Sequence, residues 1–128
     1  MREIGSQSLE GRELILHITS RDVWQVAESQ GEYRADSLET EGFIHCSTPA
    51  QVLFVANSGD RFRRLPAPVL LCIDPAKVTS EIRPENLEGG DSLFPHIYGP
   101  LNLDAVVTVL DFPPDANGKF LLPPEIRS

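Results

Sequence analysis

Three histidines carry most of the chemistry available to this chain of 128 residues, and each lies in an apolar run: Leu16-His17-Ile18, Ile44-His45-Cys46 and Pro95-His96-Ile97. A buried imidazole left without partners costs about 1–3 kcal/mol for each unsatisfied group. Each of these rings must therefore be hydrogen-bonded inside the core or face a cavity. For a single histidine the structural role is the commoner one; three so placed point to a shared site. The context of His45 adds to this. It is followed by Thr48-Pro49-Ala50-Gln51, a Thr-x-x-Gln capping box with proline at the first helical position. An imidazole next to the free N–H groups of a helix start suits a phosphate or a carboxylate. His17 likewise precedes a capping serine, Ser20.

Several chemistries could use such a site. The three histidines with a carboxylate such as Glu85 could hold a divalent metal, but no pair has the i, i+2 or i, i+4 spacing that prepositions ligands, and no metal is expected. His17-x-Thr19 and His45-x-Ser47 resemble the paired motifs of two-histidine phosphoesterases, in which the histidines act as general acid and base on a cyclic phosphate. The short separation and small chain weigh against that family. Cys46 falls on the strand face opposite His45, which suits a core thiol better than a nucleophile. Neither a Gly-x-Gly-x-x-Gly nor a Walker loop is present.

The elements that must position these residues follow from periodicity and punctuation. Leu14 to Thr19 reads as a strand, with Ile15, His17 and Thr19 on one face and Leu14, Leu16 and Ile18 on the other. Ser20 then caps a helix through Gln30, with Val23, Val26 and Ala27 inward and Gly31 as its stop. Residues 32–41 are polar and turn-rich, and Phe43 to Cys46 forms a short strand. A second helix is expected from Pro49 to about Ala56, resuming toward Phe62 after Asn57-Ser58-Gly59. Val69 to Ile73 is a central strand, Ser80 to Arg83 a short one, 87–92 a loop, and Ala105 to Phe112 the clearest strand. Asn117-Gly118 is placed to turn a hairpin back through Phe120 to Leu122. The predicted class is α+β: a small single domain over 13–128 with a curved or split sheet and two early helices, after a flexible leader at 1–12.

Composition narrows the partners. The formal net charge is −8, and Arg61, Arg63 and Arg64 form the only basic cluster, read as a solvated helix end. Nonspecific nucleic-acid binding is not expected of such a surface. An anionic small molecule remains compatible, because a pocket needs only local positive potential. No apolar run approaches the roughly 20 residues that span a bilayer, and the polar N-terminus has no signal-peptide core, so a cytoplasmic, monomeric protein with two reduced cysteines is expected.

Taken together, Leu16-His17-Ile18, Tyr33-Arg34, Gly-Phe-Ile-His-Cys-Ser-Thr at 42–48 and Phe-Pro-His-Ile-Tyr-Gly-Pro-Leu at 94–101 resemble the bacterial family called domain of unknown function 952, over roughly residues 14 to 122. That family has been proposed to be similar to the ADP-ribosyltransferase-like superfamily. The resemblance implies a split sheet clasping NAD, used as substrate for transfer or hydrolysis of ADP-ribose. It places His17 at a ribose hydroxyl and His45 and Ser47 on the nicotinamide side, with Tyr33, His96 and Tyr98 completing the wall. Phe43 is a further ring able to stack on a base, and Thr48 and Arg34 would meet the pyrophosphate. No glutamate falls in a matching motif; Glu85 is the first candidate for the catalytic carboxylate and Glu81 the next. A non-catalytic nucleotide-binding module is the alternative.

Overall fold

Every residue of Ile15–Ser20 is buried, on both faces of the strand, and this strand, β1, divides the interior. The computed structural model describes residues 13–87, 90 and 92–126, so the expected leader at 1–12 lies outside them. β1 pairs antiparallel with β4 (Pro68–Ile73), which pairs antiparallel with β8 (Val106–Asp111), giving the order β1-β4-β8 with the continuous apolar run at the centre. The alternation along β1 sorts side chains into two cores. Ile15, Val69, Leu71 and Ile73 face one side, with Trp24, Tyr33, Ile44 and Ile97. Leu14, Leu16, Ile18, Leu70 and Cys72 face the other, with Val52, Ala56, Phe112 and Phe120. Cys46 belongs to the first core and Cys72 to the second, and both are free thiols.

Helix α1 (Arg21–Gln30) begins and ends as its sequence dictates. The Ser20 hydroxyl accepts from the Val23 N–H, and Gly31 adopts φ 89° with its N–H bonded to the Ala27 carbonyl. Its inner face differs from expectation: Trp24 and Ala27 are buried, whereas Val23 and Val26 are exposed. The indole is the largest apolar group on the helix, and its contact with Tyr33 turns the helix so that the i, i+3 pair Trp24/Ala27 faces inward.

The segment expected to be only polar turns contains β2 (Glu32–Tyr33) and a one-turn helix, α2 (Asp36–Thr40). Next come β3 (Ile44–His45) and α3 (Val52–Ala56). Helix α3 is shorter than expected: it starts at Val52, and no helix resumes toward Phe62, where the chain turns after Gly59 at φ 74°. Half of the capping box forms, with the Gln51 side-chain oxygen accepting from the Thr48 N–H at 3.0 Å while its amide donates to the Leu93 carbonyl.

A second three-stranded antiparallel sheet has the order β3-β6-β5, with β5 at Glu81–Glu85 and β6 at Phe94–Tyr98; β2 pairs separately with β7 (Leu101–Asn102). Leu16 and Ser47 exchange both backbone hydrogen bonds (2.7 and 2.8 Å), tying the second sheet to β1. This is the split-sheet α+β arrangement. The C-terminal hairpin is not completed: Asp115 and Lys119 close a turn around Gly118, but the Asn57 side chain takes both the N–H and the carbonyl of Phe120, leaving that residue no strand partner. Phe120 instead packs on Phe112, with ring centroids 4.8 Å apart.

Candidate functional site

His17 is fixed at both ring nitrogens. Nδ1 lies 2.6 Å from the backbone carbonyl oxygen of His45, which can only accept, so Nδ1 carries the proton. Nε2 is then the acceptor, and Tyr33 donates its hydroxyl proton to it across 2.7 Å. Burial depresses His17 to a pKa of about 4 and pushes Tyr33 up to about 12. At neutral pH the pair is therefore an uncharged strut joining β1, β2 and β3.

His45 faces His96 across β3 and β6, their rings meeting edge-on at 5.3 Å. The two environments diverge from there. His45 is half-exposed, with Nε2 3.1 Å from a carboxylate oxygen of Glu41. Gly42, at φ 91°, makes the turn that brings Glu41 back toward the ring. His96 is fully buried, stacked on Phe43 at 4.2 Å, and its Nδ1 lies 2.9 Å from Glu85. The same Glu85 oxygen accepts from the Tyr98 hydroxyl at 2.6 Å. The Tyr98 bond and then the His96 bond hold Glu85 below the ordinary carboxylate range, and the bond to Glu85 raises Tyr98. Arg83 covers the Tyr98 ring and pairs with Glu81, so neither expected glutamate is an uncommitted carboxylate.

A cavity of about 1180 Å³ opens beside β1 and β3. Of the residues singled out from sequence, His17, Tyr33, Phe43, His45 and Ser47 line it. His96, Tyr98 and Glu85 do not; they sit behind Phe43 in the second sheet. Arg34 is at the surface, paired with Glu32 and Glu39. Thr48 is off the lining and its N–H is taken by Gln51. The phosphate position expected at the helix start is thus not formed: α3 has five residues and begins after that capped turn.

Two lining residues were missed. Glu41 stands at i, i+4 from His45, a spacing visible in the sequence but not weighed. Arg61 lines the cavity with its guanidinium 5.0 Å from the Phe62 ring centroid. Its neighbours Arg63 and Arg64 both pair with Asp60, while among the described residues no carboxylate pairs with Arg61. Phe62 is adjacent to both Arg61 and Arg63, so no sequence signal marked this difference. Among the described residues no group of three or more His, Cys, Asp or Glu side chains is arranged to hold a metal ion.

The fold and family are those of known proteins. The sequence matches, over residues 18–109, the family described as Protein of unknown function (DUF952). The crystal structure of protein CC0527 from Caulobacter crescentus is 33% identical, with TM-score 0.75, covering 85% of this chain and 94% of that one. A double methionine variant of the same protein gives TM-score 0.74, and its solution NMR structure gives 0.70 over 83% of this chain and 90% of that one. No curated protein matches.

Proposed function

The chain belongs to the family described as Protein of unknown function (DUF952), and we propose that its cavity binds NAD or ADP-ribose. The observation that carries this reading is the convergence of two separate histidine motifs, with Tyr33 and Phe43, on the wall of one cavity. Small-molecule sites commonly enclose about 300–1,000 Å³ with apolar walls and a few placed polar groups. This one has room for a dinucleotide, aromatic rings at Phe43 and Phe54 for a base, and polar groups at His45, Glu41 and Ser47 for ribose hydroxyls. His17 acts by holding Tyr33 and the His45 backbone in place, since both its nitrogens are occupied.

Transfer or hydrolysis of ADP-ribose is the catalytic form of this proposal. Cleaving a glycosidic bond develops positive charge on the ribose, which a carboxylate at the site stabilises. Glu41 meets that requirement from the cavity wall, beside His45. The position of Glu85, committed to His96 and Tyr98 away from the lining, favours the second form, a binding module without turnover.

Thermal shift against NAD and ADP-ribose tests the proposal, with nicotinamide release assayed in parallel. Saturating one site a hundredfold over its dissociation constant adds about 2.7 kcal/mol, an easily measured rise in Tm. His45→Ala removes the ring but keeps the carbonyl that anchors His17, so the variant should fold and lose the shift. Nicotinamide release distinguishes the catalytic form from the binding form. Absence of a shift with both ligands rejects the proposal.

A further inference from the structure

We infer that Arg61 is the anion anchor of this cavity and that its ligand carries a phosphate or pyrophosphate group. The inference rests on the proposed binding cavity but not on the ligand being NAD or ADP-ribose. Around a chain of net charge −8 the average field repels anions, so an anionic ligand must find local positive potential. On the cavity wall Arg61 is the one permanently cationic side chain among the described residues, and the wall's carboxylates are Asp36 and Glu41. The histidines do not replace it. His17 is neutral with both nitrogens engaged, and His45 already has Glu41 as a partner.

The local sequence commits its arginines unequally. Asp60 takes up Arg63 and Arg64, whereas the Arg61 guanidinium lies over the ring of Phe62, itself on the cavity wall, and pairs with no carboxylate among the described residues. A planar fork with an aromatic ring on one face suits bidentate contact with phosphate oxygens. The wall also carries exposed apolar side chains, Phe54 and Val23. That combination fits a phosphate joined to a larger ring-bearing group, and not a free inorganic anion alone.

Calorimetric titration of wild type, Arg61→Gln and Arg64→Gln with ADP-ribose, adenosine and pyrophosphate tests the inference. Arg61→Gln should weaken ADP-ribose at least tenfold, flatten the salt dependence of its binding and leave any adenosine affinity unchanged. Arg64→Gln removes the same charge three residues away and should bind ADP-ribose like wild type. Both arginines are exposed, so melting temperatures within a degree or two of wild type will show that the fold is intact. ADP-ribose binding within twofold of wild type in Arg61→Gln overturns the inference while sparing the proposed function. An equal loss in Arg64→Gln overturns it too, since that loss reports net charge. If wild type ignores ADP-ribose but binds pyrophosphate in an Arg61-dependent way, the anion anchor stands and the NAD reading fails. Binding of neither overturns both.

Discussion

The molecule holds two constellations of the same residue types, a histidine with a tyrosine and a glutamate nearby, and they are put to different uses. At the cavity, His17 and Tyr33 spend their polar atoms on each other and on the His45 carbonyl, and His45 with Glu41 remains half-exposed on the wall. In the second sheet, Glu85 joins His96 to Tyr98, and the imidazole is buried and stacked on Phe43. Phe43 is the partition: it lines the cavity, and its ring also contacts His96 and Tyr98. Apolar sequence context therefore does not tell a chemical histidine from a structural one. What separates them is whether open space or another strand lies beyond the ring.

The largest effect should come from the buried constellation. His96→Ala removes a fully enclosed ring, its stacking on Phe43 and a charge-assisted hydrogen bond to Glu85. We expect a loss of about 3–5 kcal/mol, the range for deleting a large buried ring, in urea unfolding at pH 7. A loss below about 1 kcal/mol, typical of an exposed substitution, would show that His96 is not the structural member of the comparison.

A smaller effect should come from His17 and depend on pH. The folded-state pKa of His17, about 4, lies below its ordinary value of 6.5 because burial disfavours the imidazolium. The unfolded chain therefore binds the extra proton first as pH falls. The stability this neutral histidine contributes is fully present above pH 6.5 and is lost progressively as pH drops toward 4. The span corresponds to on the order of 3 kcal/mol at most. Denaturation at a series of pH values should show this slope in wild type and a flatter one in His17→Gln. An unchanged slope in the variant would mean that His17 is not the buried neutral member of the pair.

Much of the frame was legible because its signals are local. The two faces of β1, the Ser20 cap, the Gly31 stop and the central position of β4 each follow from alternation or from one residue's backbone preference. That each histidine would need a partner was also legible, since an imidazole in an apolar run must find one; that His96 would take Glu85 and Phe43 and stay off the cavity wall was not. What failed depended on distant atoms. Trp24 outranked Val23 and Val26 only because Tyr33 lay opposite. The phosphate position at Thr48 was pre-empted by Gln51, which also reaches Leu93. Glu85 appeared available until β5 paired with β6 and set it against His96 and Tyr98. Arg61 looked like its neighbours because nothing in Arg-Phe-Arg-Arg says which guanidinium Asp60 will take.

The sharpest test of the comparison is also the smallest in stability. Glu41 and His45 are both substantially exposed, and solvent screens their pairing. Glu41→Gln should therefore change unfolding free energy by no more than about 0.5 kcal/mol, well below the effect of His96→Ala. Its consequence belongs to the ligand. With the carboxylate gone, any nicotinamide release should fall steeply, and by more than affinity for ADP-ribose, which loses a ribose contact but has no scissile bond. Glu85→Gln should do the reverse, disturbing the His96–Tyr98 clasp and leaving turnover per folded molecule intact. If release instead follows Glu85 and ignores Glu41, the chemistry reaches through Phe43 into the second sheet, and the division between the two constellations fails.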